Sequence, residues 1–353
     1  MATLQPVFDV VVVGAGIAGL HAASLILQAR PSTKLLVLER CPQIGGRALT
    51  VSNSFDLGGA WSWSDQHLGE LASRLNTTRF PQPAAGNDVI VNSYATQVTN
   101  THGQLLACGP GGQRFERGVG GIATALAAEV SALGGQFQLN VAVNSISTTS
   151  RPTIINDFVR TKITIVAAPP QLIASNITFN PPLPETQAQT MLQTQTWMYN
   201  TGKAIVEYDA PWWREAGLNL CSSGTSSRGG VIDVTWDNSD YANDKFAIGM
   251  FVQPSATEAK VNEDIAAIFE TISAKPLPKK ITVKFWTDVG VGGYRTTTAY
   301  GEPILRKNIA NRVFFGGTET EREHGHIEGA VMSGKRLASD VLAFLNEYKD
   351  KEL

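Results

Sequence analysis

Three glycines in the spacing Gly14-x-Gly16-x-x-Gly19, with one carboxylate, Glu39, twenty residues beyond the last of them, are the first residues whose types and spacing bear on chemistry. Gly14 permits a tight turn, Gly16 lets the backbone approach a pyrophosphate, and Gly19 lets a helix pack closely on a strand. The N-terminus of that helix offers N–H donors and a positive dipole end to phosphates. Glu39 can accept hydrogen bonds from both ribose hydroxyls, which favours a 2′-hydroxyl over a 2′-phosphate. The chemistry is dinucleotide binding; a glycine-rich turn beside a surface glutamate is the plainer alternative.

A second cluster separates the two common dinucleotides. Glu39-Arg40 is followed by Gly45-Gly46-Arg47 and then by Asp56-Leu57-Gly58-Gly59-Ala60-Trp61. A nicotinamide enzyme has no evident need for these residues. An extended flavin dinucleotide needs small residues where its ribityl chain and ring meet the backbone, and a cation near its pyrophosphate.

These residues need elements to position them. Residues 8–13 form a nearly continuous apolar run, as in a strand buried on both faces; 20–29 read as a helix ended by Pro31, and 35–38 as a second strand with Glu39 at its end. This is a βαβ unit, whose crossover is right-handed. Further on, 120–133 predict a helix and 136–147 and 162–166 predict strands. Residues 197–208, 231–236 and 246–252 read as antiparallel strands and 262–274 as a helix. A short strand at 312–315 precedes a closing helix over 327–345. The fold class is α/β: a discontinuous, doubly wound Rossmann-type domain (1–75, 114–170 and 286–353) with a smaller inserted α+β domain (76–113 and 171–285).

Composition narrows the function classes. The chain has 353 residues, about two domains' worth, with 29 Lys+Arg against 31 Asp+Glu. Without a basic excess, general nucleic-acid binding is disfavoured. Apolar residues at 43% and charged residues at 17% exclude intrinsic disorder. Cys41, Cys108 and Cys221 are widely spaced and odd in number, so neither a disulfide framework nor a CxxC metal pair is expected. The first residues lack a charged region leading into an apolar one, and no apolar run reaches membrane-span length. A cytoplasmic protein that contacts no membrane is expected.

Five blocks resemble the flavin-containing amine oxidase family, the monoamine and polyamine oxidase group: VVVGAGIAGL…VLER…GGR from Val11 to Arg47, DLGGAW from Asp56, RFERGVGGIATAL from Arg114 with FQLNVAVNSI after it, ITIVAAPP from Ile163 with NPPLP from Asn180, and FFGGTET…GHIEGAVMSGKRLA from Phe314. The resemblance implies FAD in a two-domain fold. It places Gly14, Gly16 and Gly19 on the pyrophosphate and Glu39 on the ribose. Arg40, Gly46, Arg47, Gly58, Gly59, Ala60 and Trp61 would lie along the phosphates and flavin. Val143 would contact adenine, Gly317 and Glu319 the ribityl or pyrophosphate region, and Ile327 and Ala330, at the start of the last helix, the pyrimidine edge of the ring. Lys203 resembles the family lysine that reaches flavin N5 through a water, with PWWR (211–214) at the family spacing. From the strand alone, a lysine snorkelling out of a half-buried strand is the alternative reading.

Three departures set this sequence apart. Tyr294 stands where monoamine oxidases carry a flavin-bound cysteine, so the FAD is expected to be non-covalent. Arg295 and His326 align with the aromatic pair that faces the amine in those enzymes. Arg295 would repel a cation and attract a carboxylate or phosphate, or form a salt bridge; His326 would contact substrate or pack. Glu323, His324 and His326 could suggest a metal, but the resemblance explains the segment as flavin-facing and no metal is expected. Finally, the excursion between Trp61 and Arg114 is short, which predicts an open or partner-closed substrate site, lined by some of Trp197, Trp212, Trp213 and Trp236 while others pack in the core. The implied activity is FAD-dependent oxidation of a carbon–nitrogen bond in an amine or amino acid, with O2 as acceptor and H2O2 as product. The alternatives are a flavin-dependent carbon–carbon dehydrogenase or desaturase, a non-catalytic FAD-binding protein, and an NAD-linked dehydrogenase, which requires the GGR and GGTET blocks to be coincidences. The expected partners are a small amine or amino acid and O2, with a homodimer as the candidate assembly.

Overall fold

Val10, Val11, Val12 and Val13 are all buried, as a strand covered on both faces requires. In the computed structural model, which describes residues 7–63, 66–91, 96–99, 108, 111–196, 201–269, 276–287, 300–322 and 326–347, these valines divide by the two-residue period of a strand. Val10 and Val12 face one hydrophobic layer with the helices Ile17–Ala29, Gly118–Ala132 and Ile327–Glu347. Val11 and Val13 face the other, with Leu36, Leu38, Ile173 and Met191. Full burial of one such side chain stabilises by about 1.5–3 kcal/mol, so the strand is held from both sides.

That strand, Val7–Val13, lies in parallel between Leu35–Leu38 and Val159–Ala167. Gln136–Gln138 extends the parallel set beyond Leu35–Leu38, and Val313–Gly316 pairs in parallel with the second half of Val159–Ala167. The first half of Val159–Ala167 turns antiparallel against Thr153–Ile155, which leads on to Ser145–Ser147 and Thr178–Asn180 in one eight-stranded sheet. The segment 171–193, read from sequence as part of the inserted domain, therefore belongs to the larger sheet. Thr178–Asn180 is one of its strands, and Ile173 and Met191, from the helices Pro170–Asn176 and Glu185–Gln193, cover its second face. Pro181, Pro182 and Pro184 lie in the turn between Thr178–Asn180 and the helix Glu185–Gln193.

The inserted part is a five-stranded antiparallel sheet in the order Ser222–Ser223, Ile232–Asp237, Phe246–Val252, Gly202–Tyr208, Lys280–Phe285. Alternation along Gly202–Tyr208 again assigns the faces. Ala204, Val206 and Tyr208 pack with Trp212, Trp213 and with Val261, Ile265 and Ile268 of the helix Glu258–Ile268. Ile205 packs with Phe55 and Leu57 of the larger domain.

Cys108 and Cys221 are joined by a disulfide. This corrects the reading that the cysteines form no bridge: 113 residues separate them in sequence, and only the packing of the excursion on the inserted sheet brings them together. It also sits badly with the cytoplasmic expectation, because cytosolic thiols are kept reduced. Among the described residues no helix is long and apolar enough to cross a membrane.

Candidate functional site

A cavity of about 770 Å³ runs from the glycine turn, along the seam between the two sheets, to the inner face of the inserted sheet. At its first end the three glycines differ in surroundings. Gly14 has φ +104°, and a Cβ there would lie 2.5 Å from the carbonyl oxygen of Ala167. A Cβ on Gly19 would overlap the carbonyl oxygen of Gly14. At Gly16, by contrast, the nearest atom would be Gly45 O at 3.9 Å, and the residue lines the cavity. The turn is closed on its protein side and open where a pyrophosphate would lie, directly before the first turn of Ile17–Ala29.

Glu39 lines the same end. Its Oε2 accepts from Ala15 N at 2.7 Å and its Oε1 from Cys41 N at 2.9 Å. Each carboxylate oxygen can accept more than one hydrogen bond, so these contacts fix the group while leaving acceptor capacity for ribose hydroxyls. Arg40, Gly46, Val143, Gly317, Ile327 and Ala330 line the wall as well. Glu319 does not. It is fully buried, and both its oxygens are committed to Arg47, at 2.5 and 3.1 Å. Arg47 is on the wall, and Glu319 stands behind it and holds the arginine. Gly19 is likewise behind the wall, as a packing position.

The other end is built by strand register. Lys203, Phe251 and Lys284 are cross-strand partners on three adjacent strands and all line the cavity. Lys203 Nζ donates to Gly58 O at 2.5 Å. It lies 4.8 Å from the ring centre of Trp61, 5.4 Å from Phe251 and 5.5 Å from Trp236. Trp286 Nε1 donates to Leu57 O at 3.0 Å. Two successive carbonyls of the DLGGAW segment thus tie the inserted sheet to the larger domain, with Gly58, Gly59, Ala60 and Trp61 along the cavity between them.

Burial pushes the Lys203 ammonium down to about 7, against the pull of the Asp56 carboxylate and with the nearby Arg114 adding to the fall. Asp56 is itself buried, which lifts its carboxyl to about 6 against the opposing influence of Arg114, a hydrogen bond from Thr50, and Lys203. Its Oδ1 accepts from Thr50 Oγ1 at 2.5 Å and from Val119 N at 2.9 Å. A near-neutral amine deep in an aromatic cup can hold or release a proton at physiological pH.

His326 lines the cavity with its ring 5.8 Å from that of Trp63. Tyr294 and Arg295 lie outside the described residues, as do Glu323, His324 and Trp197. Of the tryptophans proposed for the substrate wall, Trp212 and Trp213 pack on the far side of the inserted sheet, and Trp236 is buried behind Phe251 and Trp61. Trp61, Trp63 and Trp286 line the cavity instead. Trp63, Thr201, Phe251, Lys284 and Trp286 were not singled out from sequence. Only Trp63, next to the DLGGAW block, carried a local signal; the others needed the strand register. Among the described residues no group of three or more His, Cys, Asp or Glu could hold a metal.

Comparison with known proteins agrees with this geometry. Residues 94–342 match the model of the flavin-containing amine oxidoreductase family, and residues 12–75 that of an NAD(P)-binding Rossmann-like domain. The chain is 25% identical to a probable flavin-containing monoamine oxidase A of Dictyostelium discoideum, over 96% of this chain and 98% of that one. It is 27% identical to the dog flavin-containing amine oxidase B, where the match spans 74% of this chain and 53% of the relative. The structure of cyclohexylamine oxidase from Brevibacterium oxydans superposes with a TM-score of 0.79 at 18% identity, over 97% of this chain and all of the other, which shows the fold.

Proposed function

The chain belongs to the flavin-containing amine oxidoreductase family, an FAD-dependent oxidoreductase family, and from that premise we propose that it oxidises a carbon–nitrogen bond of a small amine or amino acid. The observation that carries this reading is the single cavity joining the open face of Gly16 and the Glu39 carboxylate to Lys203. FAD, when bound, supplies a two-electron acceptor that passes the electrons to O2 and yields H2O2. Every other contribution comes from the chain.

The first turn of Ile17–Ala29, Arg40 and Arg47 bind the phosphates, and Glu39 binds the ribose. Ile327 turns the N-terminus of the closing helix toward the cavity, where its dipole favours negative charge on the ring. Trp61 and Trp286 exclude water and fix the substrate's approach. An amine gives up its hydrogen most readily when its lone pair is free. An amine that binds beside Lys203 in its neutral form needs no separate general base. Lys203 holds a proton, or an ordered water, at Nζ. With Tyr294 in place of a cysteine, no thioether forms and the FAD is held non-covalently.

The test is a peroxide-release screen over primary amines, polyamines and L-amino acids with the purified, flavin-loaded chain. Peroxide from at least one class, with matching ammonia or amine release, is expected. If the bound flavin is reduced by dithionite yet none of these compounds releases peroxide, the proposal is wrong.

A further inference from the structure

Resting on the reading that Lys203 holds and releases a proton, we propose that Asp56, Arg114 and Asp240 bind a short chain of ordered water through which that proton exchanges with solvent, by a route that does not pass through the cavity.

The first observation is a set of buried polar atoms without partners. Arg114, in the strand Gln113–Phe115, is fully buried, and its Nε and Nη1 have no hydrogen-bond partner among the described residues. Asp56 and Asp240 are buried as well, and Oδ2 of the first and Oδ1 of the second are likewise unpartnered. The groups are close: the Arg114 guanidinium interacts electrostatically with the carboxylates of Asp56, Asp237 and Asp240. Asp237 is the exception among them. Its Oδ1 accepts from Ser239 N at 3.0 Å, and its Oδ2 from Tyr241 OH at 2.7 Å and Trp213 Nε1 at 3.0 Å. Two free donors thus lie among two carboxylates with one free oxygen each, near enough to interact and not bonded. A buried donor or acceptor left unmade is costly, and one without a protein partner is satisfied by ordered water. These atoms offer water both donors and acceptors.

The second observation is where the group begins and ends. Thr50 and Val119 N hold Oδ1 of Asp56, which leaves Oδ2 for the water, and the Asp56 carboxylate acts on Lys203. At the other end, Asp240 Oδ2 accepts from Ser54 Oγ at 3.3 Å and from Asn243 Nδ2 at 2.9 Å, and Asn243 is exposed. Asp240 is therefore one hydrogen bond from the surface. None of Asp56, Arg114 and Asp240 lines the cavity.

The arrangement answers a need of the site. Lys203 Nζ stands among Trp61, Phe251 and Trp236, and a ligand in the cavity closes its remaining side to water. A proton that leaves Nζ must still be replaced. Asp56 passes one to Nζ, and water between Asp56 Oδ2 and Asp240 Oδ1 restores it from solvent beside Asn243, so the chain neither gains nor loses a proton over a cycle. Arg114 stays charged throughout and orients the water as a donor.

Two measurements test this, both on the flavin-loaded chain without substrate. A high-resolution crystal structure of the parent should show ordered water bonded to Asp56 Oδ2, Arg114 Nε and Nη1, and Asp240 Oδ1. The exchange of the Lys203 Nζ protons with solvent is then followed by NMR with 15N-labelled lysine below pH 7, where the amine carries its proton, the signal being identified by its loss in Lys203→Met. Asp240→Asn, which preserves shape and does not touch Lys203, should slow this exchange by about 100-fold, the low end for losing a positioned proton-transfer group. A merely structural role for Asp240 would lower stability and leave the exchange rate alone. Exchange at the parental rate in folded Asp240→Asn, or a crystal in which these atoms are dry or bonded directly to one another, overturns the proposal while leaving amine oxidation standing. Should Asp240→Asn not fold, the crystal alone decides. A parent with the water chain and the slowed variant, yet with no peroxide from any amine or amino acid, overturns the amine oxidase reading alone.

Discussion

The two ends of the cavity are built in different ways. At the nucleotide end, Gly14, Gly16, Gly19, Glu39, Gly46 and Arg47 lie within 34 consecutive residues, on one strand–helix–strand unit and the turn after it. At the reacting end, Gly58, Lys203, Phe251 and Lys284 span more than 220 residues; strand register brings the last three together, and the Lys203 hydrogen bond adds Gly58. The first end is rigid because tight backbone packing leaves no alternative. The second is joined to the larger domain by the hydrogen bonds of Lys203 to Gly58 and Trp286 to Leu57, by that of Lys245 to Ser52, and by the packing of Ile205 on Phe55 and Leu57.

Substitution at the nucleotide end should have the largest effect, and it should separate two kinds of glycine. Gly19→Val places a side chain onto the Gly14 carbonyl, and loss of soluble, flavin-loaded protein is expected. Gly16→Ala points a methyl group into the cavity. The chain should then fold with nearly parental thermal stability and bind added FAD about tenfold more weakly or worse, roughly 1.4 kcal/mol. If both variants fold and bind alike, the distinction between a closed and an open face is wrong.

At the reacting end, Lys203→Met should keep its flavin and lose turnover by about 100-fold, in the range for removing a positioned proton-transfer group. An inflection near pH 7 in the parent's rate profile should disappear in the variant, and in Asp56→Asn it should move to lower pH, because the Asp56 charge supports the protonated amine. Stability offers a second readout. The folded-state value of Lys203 is depressed from 10.5 to about 7, so on acidification the unfolded chain takes up this proton first, and the lysine's burial costs most below about pH 7. The Tm of Lys203→Met relative to the parent should therefore rise as pH falls from 10 to 7.

The smallest effect on the site is expected from the disulfide. Cys221→Ser should lower the denaturant midpoint by the equivalent of about 2–4 kcal/mol and leave flavin content unchanged. A large loss of flavin would mean that the excursion supports the nucleotide end as well.

The contrast between the two ends also explains what could be read in the chain. The βαβ unit, the turn at Gly14, the close packing at Gly19 and the closing helix Ile327–Glu347 were legible because period-2 and helical patterning act over short spans. Glu319 was placed on the ligand by its motif, yet its oxygens answer Arg47, a partner 272 residues away. Lys284 and Trp286 carry no local mark at all; they become notable only when Lys280–Phe285 pairs with Gly202–Tyr208. That some of the four tryptophans pack in the core was legible from composition, but not which: the turn after Tyr208 carries Trp212 and Trp213 to the face of that sheet away from the cavity.

The most direct test of the account is to denature the purified chain by heat and record the absorbance of the supernatant. The account predicts one FAD per chain, released free of protein. Absence of isoalloxazine absorbance from both supernatant and pellet, in protein that also fails to bind added FAD, would contradict it.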